Sequence, residues 1–327
     1  MERQNLPAED AEAAMQIILS GQASHAQIAA FLTALKMKGE TSGELVGFAR
    51  AMRRMAAPVE HGLNSEALLD TCGTGGDGSD TFNISTVAAF VVAGAGVHVA
   101  KHGNRSISSK CGSADLLEAW GIEIALPPER SARAIREIGI GFLFAPAVHS
   151  AMKHAQPVRT ELKMRTVFNL LGPLTNPSGA NTQLAGAPSE AAAELIAGAL
   201  AALGLARGFV VHGSDGLDEI TTTGPTTAWE IREGRTWKRV LEPSDFAVRT
   251  ARPEELRGGD RQRNLEIANA VLAGVHGAHR DIVLANAAAA LVAAGKAETF
   301  LEGVAIALVA IDSGAAKRKV EDLAKFR

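Results

Sequence analysis

Residues 67–101 read ALLDTCGTGGDGSDTFNISTVAAFVVAGAGVHVAK, and the pattern within this stretch decides the fold class. The apolar run at residues 67–71 predicts a strand, residues 85–95 predict a helix, and residues 97–101 predict a second strand. Further strands are predicted at residues 141–144 and 208–211, and further helices at residues 114–120, 191–203, 281–294 and 299–312. Strands that alternate with helices indicate an α/β fold with a mostly parallel sheet covered on both faces.

The residues before this stretch predict a small helical domain. Apolar residues recur there at helical spacing in three groups: Ala11, Ala14, Met15 and Ile18; Ile28, Phe31, Leu32 and Leu35; and Leu45, Phe48, Ala49 and Met52. Thr41 and Ser42 are candidate N-caps of the third helix. Residues 57–64 contain Pro, Gly and Asn and are typical of a linker. We therefore expect a small domain over residues 1–65 and a large α/β domain over residues 66–327.

Composition and charge exclude several classes of protein. The chain has 327 residues, of which 46% are hydrophobic and 21% charged, a globular balance that excludes a disordered chain. The net charge of −3 argues against electrostatic wrapping of nucleic acid. The N-terminus lacks the features of a signal peptide, and the apolar residues 87–97 are too few to span a bilayer. Cys72 and Cys111 form no CxxC pair, so neither a zinc site nor a disulfide scaffold is indicated. We expect a cytoplasmic protein.

Two glycine-rich and polar segments follow the first predicted strand. In DTCGTGGD, residues 70–77, three glycines leave room for backbone N–H groups to close around an anion, although a tight structural turn explains them equally well. In TFNIST, residues 81–86, Ser85 or Thr86 stands at the expected N-cap of the following helix. Ordinary capping accounts for that position, but free N–H groups and the helix dipole also favour a phosphate there.

A third polar segment, KHGNRSISSK at residues 101–110, follows the second predicted strand. Alone it is compatible with a solvated loop. Because ligands in open α/β sheets bind outside the carboxyl ends of the strands, three such loops together predict a pocket for a multiply phosphorylated ligand. Asp218 and Glu219 lie in a glycine-flanked loop at residues 213–223. Surface charge is the simplest explanation of this pair alone, and a bend is needed for both carboxylates to reach one ligand.

Five motifs in a fixed order give the chain a specific resemblance. DTCGTGGD, NIST, KHGNRSISSKCGSAD, RTVFNLLGPLTNP at residues 165–177 and HGSDGLDEI at residues 212–220 resemble the anthranilate phosphoribosyltransferase family. The helical start and RDIVLANAAAAL at residues 280–291 are similar to that family too. The resemblance therefore runs over nearly the whole chain.

The resemblance implies a reaction and an architecture. The reaction joins anthranilate to phosphoribosyl pyrophosphate, gives N-(5-phosphoribosyl)anthranilate and pyrophosphate, requires Mg²⁺ and belongs to tryptophan biosynthesis. The implied fold is nucleoside-phosphorylase/phosphoribosyltransferase-like, with the active site in a cleft between the small and the large domain. Helices from about residues 151–170 are implied to return to the small domain. The resemblance also implies a homodimer formed through the small domain.

The same resemblance assigns site residues, motif by motif. The phosphoribosyl pyrophosphate site is implied at Gly73, Gly76, Asp77, Thr81, Asn83, Ser85, Thr86, Lys101, Ser109 and Ser113. Anthranilate contacts are implied at Gly73, Asn104 and Arg159, with His149 and Pro173 beside its entry channel. The magnesium ligands are implied to be Asp218, Glu219 and Ser85. No residue is assigned as an acid or base; His102 is the nearest candidate by motif, and a loop-ordering role explains it at least as well.

Three other functions have weaker support. Pyrimidine nucleoside phosphorylases share this architecture, but KHGN, GPLTNP and Asp218-Glu219 favour the transferase. A nucleic-acid-binding relative should be basic and should have eroded phosphate motifs, and a purely structural protein does not need intact polar loops at three strand ends. Cys111 stands where the family more often has Ser; because Cys is a weaker donor, one hydrogen bond is in doubt there.

Overall fold

The computed structural model describes residues 3–63, 66–76, 78–105 and 110–327. Its α-helices are α1 (Ala8–Leu19), α2 (His25–Lys38), α3 (Ser42–Met55), α4 (Ile84–Gly94), α5 (Ser113–Ala119), α6 (Pro128–Ile138), α7 (Ala145–Val148), α8 (Gln156–Leu162), α9 (Phe168–Leu171), α10 (Glu190–Ala202), α11 (Arg261–Leu272), α12 (Ala278–Ala293), α13 (Phe300–Asp312) and α14 (Ala315–Lys325). Short 3₁₀ helices lie at Ser150–His154, Gly172–Leu174, Pro243–Phe246 and Pro253–Leu256.

One mixed sheet organises the large α/β part. Its strands are β1 (Leu68–Gly73), β2 (His98–Gly103), β3 (Ile140–Phe144), β4 (Thr182–Gly186), β5 (Arg207–Gly213), β6 (Thr226–Arg232) and β7 (Arg235–Leu241). They lie in the order β3-β2-β1-β4-β5-β6-β7, with the first five parallel and the last two antiparallel. The chain leaves β1 towards β2 on one side and leaves β4 towards β5 on the other. The boundary between β1 and β4 is therefore the topological switch point of the sheet.

Both faces of the sheet are covered, as the sequence predicts for parallel strands. Neighbouring residues of one strand point to opposite faces. Leu69 joins the core formed with α4, α12 and α13, whereas Leu68 joins a smaller cluster with α6. On β5, Phe209 faces the first core and Val210 faces the side of α10.

The N-terminal helices form the predicted bundle, and side chains define where two of them begin. Ser24 and Gln27 form a capping box at the start of α2, and Thr41 and Glu44 form one at the start of α3. Helix α8 packs against α2, and Val158 shares a core with the bundle. That core continues through α10 to the back of β4, β5 and β6, so the bundle is packed directly against the sheet.

The structure corrects one local prediction and adds three strands. Helix α4 begins at Ile84 with Asn83 as its N-cap residue, so the prediction that Ser85 or Thr86 caps it is wrong. Strands β4, β6 and β7 were not predicted. Six of the seven side chains of β7 are exposed, and its apolar residues do not alternate regularly with polar ones, so that strand carries little hydrophobic pattern. Glu233 and Gly234 both have positive φ between β6 and β7, which makes a tight hairpin turn.

No helix in the described part of the chain is long and apolar enough to cross a membrane.

Candidate active site

Glycines end four neighbouring parallel strands at the carboxyl edge of the sheet. They are Gly103 on β2, Gly73 on β1, Gly186 on β4 and Gly213 on β5. Gly73 and Gly186 lie side by side in the register of β1 and β4, at the switch point. Because glycine has no side chain, other segments of the chain can pack closely against this edge of the sheet.

The loop after β5 folds onto the two central glycines. A methyl group on Gly186 would overlap the backbone oxygen of Asp218, and one on Gly73 would lie 2.6 Å from its carboxylate Oδ2. The N–H of Gly75 donates to the same Oδ2 at 2.7 Å. Residues 218 and 219 form a bend, as expected if both carboxylates are to reach one ligand. Glycine at two strand ends therefore lets Asp218 sit directly over the switch point.

Glu219 lies at the start of α4. The N–H of Ser85 donates to Glu219 Oε1 at 3.2 Å, within the first turn of that helix. A carboxylate is favoured there by the free N–H groups and by the positive end of the helix dipole. Asp218, Glu219 and Ser85 thus lie at the same edge of the sheet. Their carboxylate and hydroxyl oxygens are the hard donors that Mg²⁺ prefers, so the donor set fits this ion.

Lys101 lies beneath this edge rather than on the surface. It is 3% exposed, and its ammonium donates to the carbonyl of Thr71 and lies 3.4 Å from Ser85 Oγ. Burial lowers the pKa of Lys101, while the carboxylates of Asp70, Glu219 and Asp218 act in the opposite direction. The buried ammonium of Lys101 therefore lies next to Ser85, whose N–H contacts Glu219.

The polar residues of TFNIST surround the start of α4. Asn83 donates from Nδ2 to the Cys111 carbonyl at 3.0 Å, and its Oδ1 is buried with no hydrogen-bond partner in the described part of the chain. The hydroxyl of Thr86 is likewise buried and unpaired among the described residues. Thr81 forms an isolated bridge with Arg257. Two buried polar atoms without partners at one helix start are consistent with a polar ligand there.

The segment after β2 contributes Asn104 and Ser113. Ser113 Oγ donates to the Asn104 carbonyl at 3.0 Å, and Asn104 Oδ1 accepts from the N–H of Arg105. The predicted site residues Asp77 and Ser109 lie outside the described residues.

A buried histidine pair lies beside the end of β2. The rings of His102 and His149 are 5.1 Å apart, edge to face. His102 Nδ1 lies 3.2 Å from the Gly172 carbonyl, and the Nε2 atoms of both rings have no hydrogen-bond partner among the described residues. Burial lowers the pKa of His102 to about 3 and that of His149 to about 4. Both rings are therefore neutral near pH 7. Pro173, which is predicted together with His149 beside the anthranilate entry channel, is buried and follows Gly172 directly.

Arg159 is held on α8, apart from the glycine-rich loop. Its guanidinium lies 5.1 Å from the centre of the Phe168 ring, and Nη1 lies 3.3 Å from Gln156 Oε1. Burial lowers its pKa, but arginine stays protonated throughout the physiological range. Contact with an aromatic ring is compatible with carboxylate binding, because the N–H donors of a guanidinium lie in its plane, at the edge.

Sequence identity to known proteins shows the family of this chain. The anthranilate phosphoribosyltransferase of Solibacter usitatus is 76% identical over 326 residues, which cover 100% of this chain and 96% of that protein. The chain belongs to the anthranilate phosphoribosyltransferase family. The glycosyl transferase family helical bundle domain matches residues 1–56, and the glycosyl transferase family a/b domain matches residues 65–317.

Solved structures of anthranilate phosphoribosyltransferases share this fold. The Thermus thermophilus enzyme superposes with a TM-score of 0.94 at 44% identity, covering 99% of this chain and 96% of that one. The Saccharomyces cerevisiae enzyme in complex with PRPP and Mg superposes with a TM-score of 0.88 at 30% identity, covering 97% and 92%. The yeast enzyme is also known in complex with 4-fluoroanthranilate.

Asp70, Asn176 and Arg165 lie inside motifs of the anthranilate phosphoribosyltransferase family but were not predicted as site residues. Asp70 is fully buried and accepts from the His102 N–H and from Asn176 Nδ2, and burial raises its pKa to about 6. Arg165 donates to the carbonyls of Gly75 and Gly76. All three lie inside quoted motifs, but only the folded chain shows which atoms they contact.

Proposed function

We propose that this protein transfers the phosphoribosyl group of phosphoribosyl pyrophosphate to the amine of anthranilate, with Mg²⁺, in tryptophan biosynthesis. The observation that carries the proposal is the convergence of Gly73, Ser85, Asp218 and Glu219 at the switch point of the sheet. Glycine amides, a helix N-terminus and two carboxylates in one place suit a magnesium-bound diphosphate. Membership of the anthranilate phosphoribosyltransferase family agrees with this chemistry.

The phosphoribosyl pyrophosphate site is built from the loops after β1 and β2 and the start of α4. The buried Lys101 and the unpaired polar atoms of Asn83 and Thr86 support this placement. The full set that we assign to this substrate is Gly73, Gly76, Asp77, Thr81, Asn83, Ser85, Thr86, Lys101, Ser109 and Ser113.

Magnesium would be held by Asp218, Glu219 and Ser85. When bound, Mg²⁺ neutralises charge on the pyrophosphate as it leaves. The glycines beside Asp218 keep its carboxylate at the sheet edge, and the first turn of α4 does the same for Glu219.

Anthranilate would bind between Gly73, Asn104 and Arg159, with His149 and Pro173 beside its entrance. Arg159 would pair with the carboxylate of anthranilate through two parallel hydrogen bonds. This pairing holds the weakly nucleophilic aromatic amine towards C1 of the ribose.

Positioning and electrostatics then supply most of the rate. C1 becomes positive as the bond to pyrophosphate breaks, and the oriented amine attacks from the opposite face. We assign no residue an acid or base role. His102 is neutral and ordered by the Gly172 carbonyl, which fits a positioning role.

We also propose an organisation for the whole chain. The small domain would comprise residues 1–65 with the helices of about residues 151–170, because the core of the bundle includes Val158. The large domain would comprise residues 66–327. A homodimer through the small domain is supported by Ile17 and Met37, which are exposed apolar residues on α1 and α2. A cytoplasmic location fits a biosynthetic enzyme of this kind.

A fluorescence assay tests the reaction. Purified protein with anthranilate, phosphoribosyl pyrophosphate and Mg²⁺ should consume the anthranilate signal and release one pyrophosphate for each anthranilate. Omitting any component should abolish the loss. The variant D218N/E219Q should have lower turnover and need more Mg²⁺. A folded protein that consumes no anthranilate but cleaves pyrimidine nucleosides with phosphate would instead be a phosphorylase.

A further inference from the structure

Arg165 connects two distant segments at the edge of the site. Its Nη1 donates to the Gly76 carbonyl at 2.8 Å, and its Nη2 lies 3.2 Å from the Gly75 carbonyl. A methyl group on Gly76 would collide with Nη1, so the loop and the guanidinium are in close contact. One planar guanidinium satisfies both carbonyls, which the ammonium of lysine does not match in geometry.

The segment that Arg165 contacts has little conformational preference of its own. We call residues 73–76 the glycine loop. Gly75 and Gly76 have φ of +68° and +75°, so both lie in the left-handed region. Since glycine reaches positive and negative φ with similar ease, contacts have to select this conformation. The described contacts on the two residues come from Asp218, which accepts the Gly75 N–H, and from Arg165, which binds the carbonyls.

The contact of Arg165 with the carbonyls of Gly75 and Gly76, which we call the clamp, also fixes the direction of a backbone N–H group. In a planar trans peptide the carbonyl and the N–H point in opposite directions. With the Gly75 carbonyl directed at Arg165, the N–H of Gly76 points away from Arg165. The N–H of Gly75 is already taken by Asp218 and that of Thr74 by the Gly186 carbonyl. We propose that Arg165 is a positioning residue that holds the glycine loop with the N–H of Gly76 presented to the pyrophosphate of phosphoribosyl pyrophosphate. This inference rests on the proposed function.

Arg165 also ties the loop to the segment that carries Arg159. Helix α8 contains Arg159 and ends at Leu162, three residues before Arg165. The glycine loop follows β1 in the α/β domain, whereas α8 packs against α2 of the bundle. Arg165 therefore bridges the two parts of the molecule at the site, with Nη1 and Nη2 each bound to a backbone carbonyl of the glycine loop.

Two substitutions distinguish a positioning role of Arg165 from a direct interaction of its charge with the substrate. Arg165→Gln removes the cation, and Arg165→Lys keeps it without the two-pronged geometry. In both, we expect the Kd for phosphoribosyl pyrophosphate with Mg²⁺ to rise by about tenfold or more, with the KM for anthranilate unchanged within about twofold. Without ligand, amide hydrogen exchange in residues 70–76 should accelerate by about fivefold or more. Calorimetry gives the Kd and mass spectrometry gives the exchange.

Arg53→Gln is the matched control. Arg53 Nε donates to the Leu174 carbonyl at 2.7 Å, so it is also an arginine bound to a backbone carbonyl of residues 165–177. Its variant should keep wild-type exchange in residues 70–76 and wild-type affinity. Wild-type affinity in Arg165→Lys with weak binding in Arg165→Gln would overturn the proposal and make Arg165 a direct cation. Unchanged exchange in both would overturn it as well. If the wild-type protein bound no phosphoribosyl pyrophosphate, the proposed function would fail, whereas the exchange of the ligand-free loop would still report on the clamp.

Discussion

At the scale of single residues, the site depends on glycines, which have no side chain and so leave space for other groups. Asp218 reaches the switch point because Gly73 and Gly186, neighbours on β1 and β4, leave space for its carboxylate and backbone. The sequence marks Gly73 as part of a glycine-rich loop, but it does not indicate Gly186, which lies in no motif. Only the paired register of two strands shows that both glycines serve one acidic residue.

Gly73→Ala should disturb this arrangement. The added methyl would lie 2.6 Å from Asp218 Oδ2, so the carboxylate has to move and its bond from Gly75 is lost or weakened. We expect turnover to fall by about tenfold or more and unfolding free energy to fall by about 1–3 kcal/mol. Steady-state kinetics and urea unfolding measure both. Gly43→Ala in α3, where a methyl meets no atom within 4 Å, is the control. Equal effects of the two substitutions would contradict the steric argument.

The histidine pair gives folding a pH dependence. Burial holds the pKa of His149 at about 4 in the folded protein, whereas unfolded histidine titrates near about 6.5. Between these values the unfolded state binds the extra proton, so the unfolding free energy falls as the pH falls. His102 acts in the same direction. Asp70 acts in the opposite direction above about pH 4, because its pKa is raised to about 6 and the folded state keeps its proton.

His149→Gln isolates one of these contributions. As the pH falls from about 6 to about 4.5, the unfolding free energy of the wild type relative to that of the variant should decrease by about 1 kcal/mol for each pH unit. Asp70 is common to both proteins and cancels in the comparison. His102 contributes to the measured difference, because the neighbouring His149 ring helps to lower its pKa. Urea titrations across this range provide the measurement. A difference that stays constant with pH would show that His149 is not held neutral by burial.

At the scale of elements, the order of strands and helices is the part of the fold that the sequence predicts well. The apolar runs of β1, β2, β3 and β5 and the helical periodicity of α1 to α4 were identified from the printed residues. The edge hairpin β6–β7 was missed because the side chains of β7 face solvent and alternate weakly. The start of α4 was misplaced because Asn83 ends the preceding loop without a side-chain cap.

Substitution of Arg159 on α8 tests whether this residue binds anthranilate and not phosphoribosyl pyrophosphate. Because a charged hydrogen-bonded pair is worth about 1.5–3 kcal/mol, Arg159→Ala should raise the KM for anthranilate by roughly tenfold to a hundredfold. The KM for phosphoribosyl pyrophosphate should stay within about twofold. Arg159→Lys, which keeps the charge but loses the planar fork, should lie between wild type and alanine. Initial-rate kinetics in both substrates separate the effects. An equal loss for both substrates would remove Arg159 from the anthranilate site.

At the scale of the whole molecule, the bundle and the sheet share one apolar core. Residues of α1, α2 and α3 belong to the same cluster as α10 and the back of β4, β5 and β6. The sequence predicts a boundary near residue 65 from the change of pattern, and nothing in that pattern indicates that the two parts pack together. The bundle and the sheet therefore meet through elements whose contact depends on long-range packing.

Ligand stabilisation distinguishes the three candidate functions for the intact protein. At about one hundred times its Kd, phosphoribosyl pyrophosphate with Mg²⁺ should stabilise the fold by about 2.7 kcal/mol and raise the Tm by roughly 5 °C. Phosphate with a pyrimidine nucleoside, or an oligonucleotide, should raise it by less than about 1 °C. Differential scanning fluorimetry makes the comparison, with Mg²⁺ alone as the control. A larger shift with either alternative would support a phosphorylase or a nucleic-acid-binding protein.

The sequence by itself determined the fold class, the family and the three polar loops. These features are local, because hydrophobic periodicity, glycine loops and motif order are set by neighbouring residues in the chain. For the same reason the sequence indicated the pair Asp218-Glu219 and the bend between them.

Only the tertiary structure decided which of these residues meet. The switch point places β1 beside β4, although more than one hundred residues separate them, and this pairing brings Gly186 under Asp218. The clamp from Arg165 to Gly75 and Gly76, and the neutral pair of His102 and His149, arise in the same way. Contacts between distant segments depend on how helices and strands pack around a common core, and no local pattern encodes that geometry.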